Sequence, residues 1–367
     1  MELLKEDIDR IKHLWFVMKT KDDLLYLLNS VKIVLQGEKA KPIDLQSFNY
    51  FLHLKNSESN YKKFEVKKKS GGVRIILAPV KELKSIQRIL NVIFHQLFNP
   101  HKDAYGFVPL KSIKDNAINH IKKNYVYNID LKDFFHSFDH CCVMRALLLK
   151  QPFLKIKSEN VAYMVACLCT VQLKSEGYTK SILPQGSPCS PTITNVLCFT
   201  LDRRLKGLAK RFGADYSRYA DDITFSSIHN LYKDQSYLDE LDRIITDQGL
   251  IINEQKTRLI KKNYKQEVTG LIVNEKVNVK RRYVKTIRMW LYYWETYGYE
   301  KAEEVFVRDY YKDKGQITKH KPKIWLVLSG KLDFLSMIKN TDDSTYIKLK
   351  ERFDRLTEKK PETKNSI

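Results

Sequence analysis

Residues 216–226 alternate between polar and apolar side chains as β-strands do, yet they contain two adjacent aspartates, Asp221 and Asp222. Neighbouring side chains on a regular strand point to opposite faces, so two carboxylates that act together require a turn. The segment therefore predicts a β-hairpin that turns at the aspartate pair. Because aspartate favours turns, the pair by itself is also compatible with two solvated turn residues.

A second acidic strand end lies upstream, where residues 125–130 (Tyr-Val-Tyr-Asn-Ile-Asp) read as a strand that ends on Asp130. The order strand, helix, hairpin, helix, strand predicts an α+β fold with a split βαβ antiparallel sheet. Phosphoryl transfer is commonly catalysed by two Mg²⁺ ions about 3.5–4 Å apart, and a few carboxylates on rigid elements suffice to hold them. Asp130, Asp221 and Asp222 are therefore candidate ligands of two Mg²⁺ ions.

The charge of the chain indicates a polyanionic partner. It has 65 lysines and arginines against 43 aspartates and glutamates, a formal net charge of +22. Such an excess repels its own compact state unless a polyanion lies against it. Basic residues are dense at 256–288, with Tyr264 and Tyr283 among them, which predicts a surface that grips a nucleic-acid duplex. A basic surface without a partner is the alternative.

Cysteine usage and hydropathy favour the cytoplasm. None of the six cysteines forms a C-x-x-C pair, and most lie among aliphatic residues, which is typical of buried free thiols and not of a zinc site. No apolar run approaches the roughly 20 residues that span a bilayer. The N-terminus is unlike a signal peptide. We expect no membrane association.

Three segments together resemble the polymerase motifs of reverse transcriptases. Residues 219–222 (Tyr-Ala-Asp-Asp) resemble the catalytic turn, and residues 130–135 (Asp-Leu-Lys-Asp-Phe-Phe) resemble the first acidic motif. Residues 183–188 (Leu-Pro-Gln-Gly-Ser-Pro), followed by Ser-Pro and Asn195, resemble the motif that positions template and nucleotide. The three occur in the order found in that family.

The resemblance implies a role for each matched residue. Asp130 and Asp221 would hold the metals with the Leu131 carbonyl, and Asp222 would be a more peripheral ligand. Phe135 matches the gate residue under the deoxyribose, whose ring would collide with a ribose 2′-hydroxyl. The alternative for Phe135 is an ordinary core aromatic.

Further residues match the nucleotide pocket of that family. Gln185 and Gly186 would line it, and they are equally compatible with a turn that leads into a helix. Arg74 matches the arginine that meets the incoming triphosphate, where a guanidinium fork suits bidentate phosphate contact. Lys256 matches a lysine near the pyrophosphate, where it would act as a general acid. The lysine tip at residues 67–69 is compatible with phosphate contact or with plain solvation.

Two shorter motifs resemble those of retron reverse transcriptases. Residues 116–120 (Asn-Ala-Ile-Asn-His) match a segment before the first catalytic strand, and residues 268–270 (Val-Thr-Gly) lie on a strand that we predict over residues 268–273. The resemblance implies RNA and primer positioning for a group of five residues, namely Asn116, His120, Val268, Thr269 and Gly270. The alternatives are a helix cap, a core histidine and a strand with a turn glycine.

The resemblance implies a right-hand polymerase fold. We expect N-terminal helices and fingers at residues 1–124 and a palm at 125–275, with a finger insertion at about 145–185. A helical thumb that recognises RNA is expected at residues 276–367.

The implied function is RNA-directed DNA synthesis from dNTPs. The enzyme would copy a cognate structured noncoding RNA into single-stranded DNA from a guanosine 2′-hydroxyl, which gives a branched RNA–DNA product. Host RNase H, an accessory effector protein and anti-phage defence in the bacterial cytoplasm belong to the same expectation. The alternatives are a group II intron-like or abortive-infection reverse transcriptase and, from another class, a non-catalytic RNA-binding protein.

Overall fold

A computed structural model describes residues 3–67, 72–149, 154–175, 178–314 and 322–358 of the chain. Lys68 and Lys69 of the predicted lysine tip lie outside these residues. Within them, no helix is both long and apolar enough to cross a bilayer.

Helices make up much of the described chain, and several begin at side chains that cap them. Thr20 and Asp23 form a reciprocal capping box at the second helix, and Asp139 caps the sixth by accepting a hydrogen bond from the Cys142 amide. The α-helices of the described residues are α1 (Lys5–Val17), α2 (Lys21–Gln36), α3 (Leu45–Phe51), α4 (Lys81–Leu97), α5 (Ile113–Ile118), α6 (His140–Leu148), α7 (Glu159–Cys169), α8 (Ser190–Leu197), α9 (Phe199–Arg211), α10 (Gln235–Thr246), α11 (Arg281–Tyr297), α12 (Tyr299–Lys314), α13 (Ile324–Lys339) and α14 (Ser344–Glu358).

The strands form one central sheet and three separate hairpins in the described residues. They are β1 (Tyr61–Lys67), β2 (Val73–Pro79), β3 (Tyr125–Asp130), β4 (Val171–Ser175), β5 (Tyr178–Ile182), β6 (Asp215–Tyr219), β7 (Asp222–Ser227), β8 (Arg258–Lys261), β9 (Glu267–Val268) and β10 (Leu271–Ile272). The central sheet has the order β6-β7-β3-β8, and β6 and β7 are antiparallel. The predicted α+β class with an antiparallel sheet is confirmed.

The chain divides into two compact units, each with its own core. The first unit comprises Met1–Ser112 and Tyr127–Leu259, and the second comprises Ile113–Val126 and Ile260–Ile367. The core of the first unit joins side chains of α1, α2, α4, α7 and α9. The core of the second joins Val268 and Leu271 to side chains of α11, α13 and α14.

One predicted element differs in the structure. The strand expected over residues 268–273 is a hairpin of β9 and β10, with Val268 paired to Leu271. Thr269 and Gly270 form its turn with φ angles of 47° and 82°. Positive φ at both central residues is typical of tight hairpin turns. The chain therefore reverses direction at Thr269 and Gly270 instead of continuing as one strand.

Candidate active site

The hairpin of β6 and β7 presents the aspartate pair at its turn. Tyr219 pairs with Asp222 across the hairpin, so the two turn residues are Ala220 and Asp221, and Asp222 is the first residue of β7. Ala220 has a φ of 57°, a left-handed conformation that is unfavourable for a residue with a Cβ. The predicted turn is confirmed, but it lies one residue earlier than the pair.

The end of β3 lies beside this turn. The amide of Leu131 donates a hydrogen bond to the Asp221 carbonyl, with 3.1 Å between nitrogen and oxygen. Burial raises the pKa of Asp221, and the nearby charge of Asp130 raises it further, against opposing effects of Lys256 and Arg74. Asp222 is exposed, so solvent screens part of its charge. Partial burial of its carboxylate, followed by the charges of Asp221 and Asp130, still raises its pKa. The turn therefore concentrates negative charge that a cation would stabilise.

Asp130 is held by two side chains from the segment after α10. The ammonium of Lys256 lies 3.0 Å from both carboxylate oxygens of Asp130, and the amide group of Asn253 donates to Asp130 Oδ2 at 2.9 Å. Lys256 thus contacts Asp130, and its position near a leaving group stays a prediction. Asn253 is a site residue that was not predicted, because a lone asparagine in a turn has no distinguishing signal.

Asp130, Asp221, Asp222 and the Leu131 carbonyl are the groups at this site that could hold a divalent cation. All are hard oxygen donors, which suit Mg²⁺, and their carboxylates lie within electrostatic range of one another. In the described part of the chain, no three histidine, cysteine or carboxylate side chains are already grouped as a metal cage. Asp130 is paired with Lys256, so a cation would share or replace that contact.

The Leu-Pro-Gln-Gly segment packs against the hairpin of β1 and β2. The Gln185 carbonyl accepts a hydrogen bond from the Leu77 amide at 2.8 Å. Gly186 has a φ of 130°, and a Cβ there would lie 2.7 Å from the Leu77 carbonyl oxygen. Only glycine fits this backbone and this approach. Arg74, exposed on β2, is the residue of this hairpin whose charge reaches Asp221.

Three aromatic rings lie near one another beside the acidic turn. Phe135 is half-buried in a 3-10 helix, Phe134–Ser137, whereas Phe134 is buried in the core. The ring of Phe107 lies 6.4 Å from that of Phe135 and 6.5 Å from that of Tyr219. Phe107 is 45% exposed with a φ of 60°, a strained arrangement for a bulky residue. It was not predicted as a site residue.

A buried ion pair lies directly behind the turn and was also not predicted. Arg218 and Asp202 are both 0% exposed, with 2.6 Å between Arg218 Nε and Asp202 Oδ1. Burial alone would lower the pKa of Arg218, but Asp202 reverses this effect and the pKa ends above its ordinary value. One signal was available, because Asp202 falls on the apolar stripe of α9 formed by Leu201, Leu205 and Leu208.

The two short motifs meet in the second unit. The Thr269 hydroxyl donates to the Ile113 carbonyl at the start of α5, at 3.4 Å. Asn116, His120 and Val268 are at most 1% exposed, so their side chains support this unit from within. RNA and primer positioning by these residues stays a prediction, and their burial means that it would act through the surface that they support.

A groove of about 1250 Å³ in the second unit is predominantly basic. It is lined along α11 and α13 by six cationic residues, namely Arg281, Arg282, Lys285, Arg288, Lys331 and Lys339. Two aromatic residues in or next to the basic segment 256–288 differ in exposure. Tyr264 is 70% exposed, whereas Trp290 packs in the core against Phe306. The groove is therefore cationic at its surface and aromatic beneath it.

Comparisons with known proteins agree with this geometry. A family model described as "Reverse transcriptase (RNA-dependent DNA polymerase)" matches residues 66–273. The matched range includes the acidic turn, the end of β3 and the segment docked on β2.

Three similar relatives are retron reverse transcriptases of two bacteria. The retron Mx65 reverse transcriptase of Myxococcus xanthus is 35% identical over 64% of this chain and 56% of its own length. The retron Mx162 reverse transcriptase of the same organism is 35% identical over 60% of this chain and 48% of its own. The retron Ec86 reverse transcriptase of Escherichia coli is 34% identical over 68% of this chain and 74% of its own. The chain thus spans about half the length of the two Myxococcus relatives.

Proposed function

We infer that this chain, which belongs to the retron type of the reverse transcriptase family, is an RNA-directed DNA polymerase. The family match brings with it the right-hand polymerase fold that the sequence predicted. The observation that carries the activity is the meeting of Asp221 and Asp222 with the end of β3 at Asp130, joined by the bond from Leu131 to Asp221. Carboxylates grouped on rigid elements can hold the two metal ions that nucleotidyl transfer commonly uses.

We propose that the acidic groups hold two Mg²⁺ ions. Asp130 and Asp221 would be the main ligands with the Leu131 carbonyl, and Asp222 would be peripheral. The raised pKa values of Asp221 and Asp222 support this, because they arise from burial first and from neighbouring carboxylates second, and a bound cation would offset both effects. When bound, the ions supply positive charge to the attacking and departing oxygens of the transferred nucleotide.

The other side chains are proposed to bind and orient the nucleotide. Arg74 would meet the triphosphate through its guanidinium fork, from a strand that also anchors Gln185 and Gly186. Phe135 would lie under the deoxyribose and exclude a ribose 2′-hydroxyl. Lys256 Nζ would donate a proton to the leaving pyrophosphate oxygen, from its position 3.0 Å from Asp130.

The template is proposed to be a cognate structured noncoding RNA. The basic groove along α11 and α13 supports a polyanionic partner. Six cationic residues line it, whereas Asp309 is the acidic residue among its described lining. Priming from a guanosine 2′-hydroxyl would give a branched RNA–DNA product. Host RNase H, an accessory effector and anti-phage defence in the bacterial cytoplasm complete the proposal, and they rest on the retron relatives alone.

The test is expression of the chain together with the DNA that flanks its gene, followed by isolation of the bound nucleic acid. We expect DNA that remains joined to a short ribonucleotide remnant through a 2′-linkage after RNase A digestion. The Asp221→Asn/Asp222→Asn variant should make no DNA and still bind RNA. Asp242→Asn, an exposed aspartate on α10, is the matched control and should retain synthesis.

The outcomes separate the alternatives. DNA extended from a 3′-hydroxyl without a 2′-linkage would retain the polymerase and remove the retron mode of priming. RNA binding without any deoxynucleotide incorporation would identify a non-catalytic RNA-binding protein. Synthesis by the Asp221→Asn/Asp222→Asn variant would remove the metal assignment.

A further inference from the structure

The guanidinium of Arg218 contacts helix α8, helix α9 and the backbone of the turn that follows β6. It donates to both carboxylate oxygens of Asp202, at 2.6 and 2.7 Å. It donates from Nη2 to Asn195 Oδ1 at 3.0 Å, and from Nη1 to the carbonyl of Ala220 at 3.1 Å. Every one of these partners is buried. Helices α8 and α9 are thereby tied to the backbone of the catalytic turn.

The partners of Arg218 are themselves fixed. The hydroxyl of Tyr216 donates to Asp202 Oδ1 at 2.6 Å, and the amide group of Asn195 donates to the Gly106 carbonyl at 2.9 Å. The loop that holds Gly106 pairs with the same strand, because the Tyr105 amide donates to the Arg218 carbonyl at 2.8 Å. Side-chain and backbone bonds therefore converge on Arg218 from both sides.

A buried ion pair is an expensive way to stabilise a fold, because apolar side chains of similar volume often stabilise as well or better. What an arginine supplies and an apolar residue does not is a set of directed donors. One of these donors reaches Ala220, the residue held in a left-handed conformation. Such a conformation persists only when its surroundings over-determine it.

We propose that Arg218, Asp202 and Asn195 form a buried brace that holds Ala220 and Asp221 in the conformation needed for catalysis. The brace residues are positioning residues, since they lie behind the turn and act through it. The proposal rests on the polymerase activity proposed above and assigns a role to Asn195, which the template motif contains without a stated task. Displacement of catalytic groups by about 1 Å is enough to lower a rate by about 100-fold.

The first experiment uses Asn195→Ala, which leaves the ion pair in place and removes its link to Gly106. We expect kcat for dNTP incorporation to fall by about 10- to 100-fold, with KM for dNTP and Kd for RNA within about threefold of the wild-type values. Thr194→Ala is the matched control, since Thr194 is equally buried on α8 and donates only to the Pro191 carbonyl. It should keep the wild-type kcat.

The second experiment separates positioning from stability. Arg218→Met/Asp202→Leu/Tyr216→Phe removes both buried charges and the attached hydroxyl, so no ionised group is left unpaired. We expect this variant to melt close to the wild type and above Arg218→Met alone, while its kcat stays as low as that of Asn195→Ala. A merely structural pair predicts the opposite, with kcat recovering together with the melting temperature.

A third measurement does not depend on activity. Hydrogen exchange of the peptide that spans β6, the turn and β7 should be about tenfold faster in Asn195→Ala, with exchange in α14 unchanged. If the wild-type protein incorporates no dNTP, the proposed polymerase function is wrong, and the hydrogen-exchange measurement alone tests whether the brace holds the turn. Wild-type kcat in Asn195→Ala, recovered kcat in the triple variant, or unchanged exchange at the turn would each overturn the brace.

Discussion

A methyl group added at Gly106 would strike the catalytic turn. The Cβ of Gly106→Ala would lie 2.4 Å from the Ala220 nitrogen and 3.0 Å from the Tyr219 carbonyl carbon. Ordinary contact begins at 3.4 Å, and both struck atoms belong to the backbone, which cannot rotate away as a side chain can. The turn must therefore retreat by about 1 Å, which we expect to lower kcat by about 100-fold, or about 2.7 kcal/mol in the barrier.

The assay is steady-state incorporation of dNTP on an RNA template, with RNA affinity and the melting temperature measured on the same preparations. Gly207→Ala is the control, because a Cβ there meets nothing within 4 Å. It lies within α9, where alanine is a better helix former than glycine by about 1 kcal/mol. This control should keep its kcat and melt slightly higher than the wild type.

The expected pattern for Gly106→Ala is a low kcat with RNA affinity retained. A kcat within about twofold of the wild-type value would refute the reasoning, since it would mean that the turn tolerates a shift of this size. A large fall in the melting temperature together with the loss of kcat would instead indicate that the substitution unfolds the first unit.

Three further substitutions test the nucleotide pocket. Phe135→Ala should admit ribonucleotides, measured as the ratio of kcat/KM for dNTP and NTP, and an unchanged ratio would remove Phe135 from the gate. Gly186→Ala should raise KM for dNTP by about tenfold, because its Cβ would lie 2.7 Å from the Leu77 oxygen and lift the segment from β2. Lys256→Gln should lower kcat by about 10²-fold as the loss of a general acid, and an unaltered kcat would leave Lys256 only as the partner of Asp130.

Local patterns in the sequence were enough to predict the elements that carry the acidic residues. The hairpin of β6 and β7 and the strand ending at Asp130 follow from alternation over a few residues, which needs no knowledge of the rest of the chain. The position of the turn was one residue off, because Tyr219 pairs with Asp222 and leaves Ala220 as a turn residue. Adjacent aspartates alone do not set the register of a hairpin.

The side chains behind the turn were not predictable in the same way. Arg218 lies in an alternating strand where a charge reads as solvent-facing, and only its tertiary partner Asp202 makes burial possible. Similarly, residues 268–273 read as one strand because most of them are apolar, whereas the turn is set by positive φ at Thr269 and Gly270. Pairings over long sequence distances leave no periodic signal.

The division of the second unit between two stretches of chain has a consequence during synthesis. Its first piece ends at residue 126 and its second begins at residue 260, so 133 residues (127–259) lie between them. At about 5–20 residues per second, a ribosome needs roughly 7–27 s to make the chain between them. Over that interval α5, with Asn116, and His120 just after it have emerged before the strands and helices that bury them exist. The nascent chain can therefore contain the whole first unit before the residues that pack against α5 of the second unit have been synthesised.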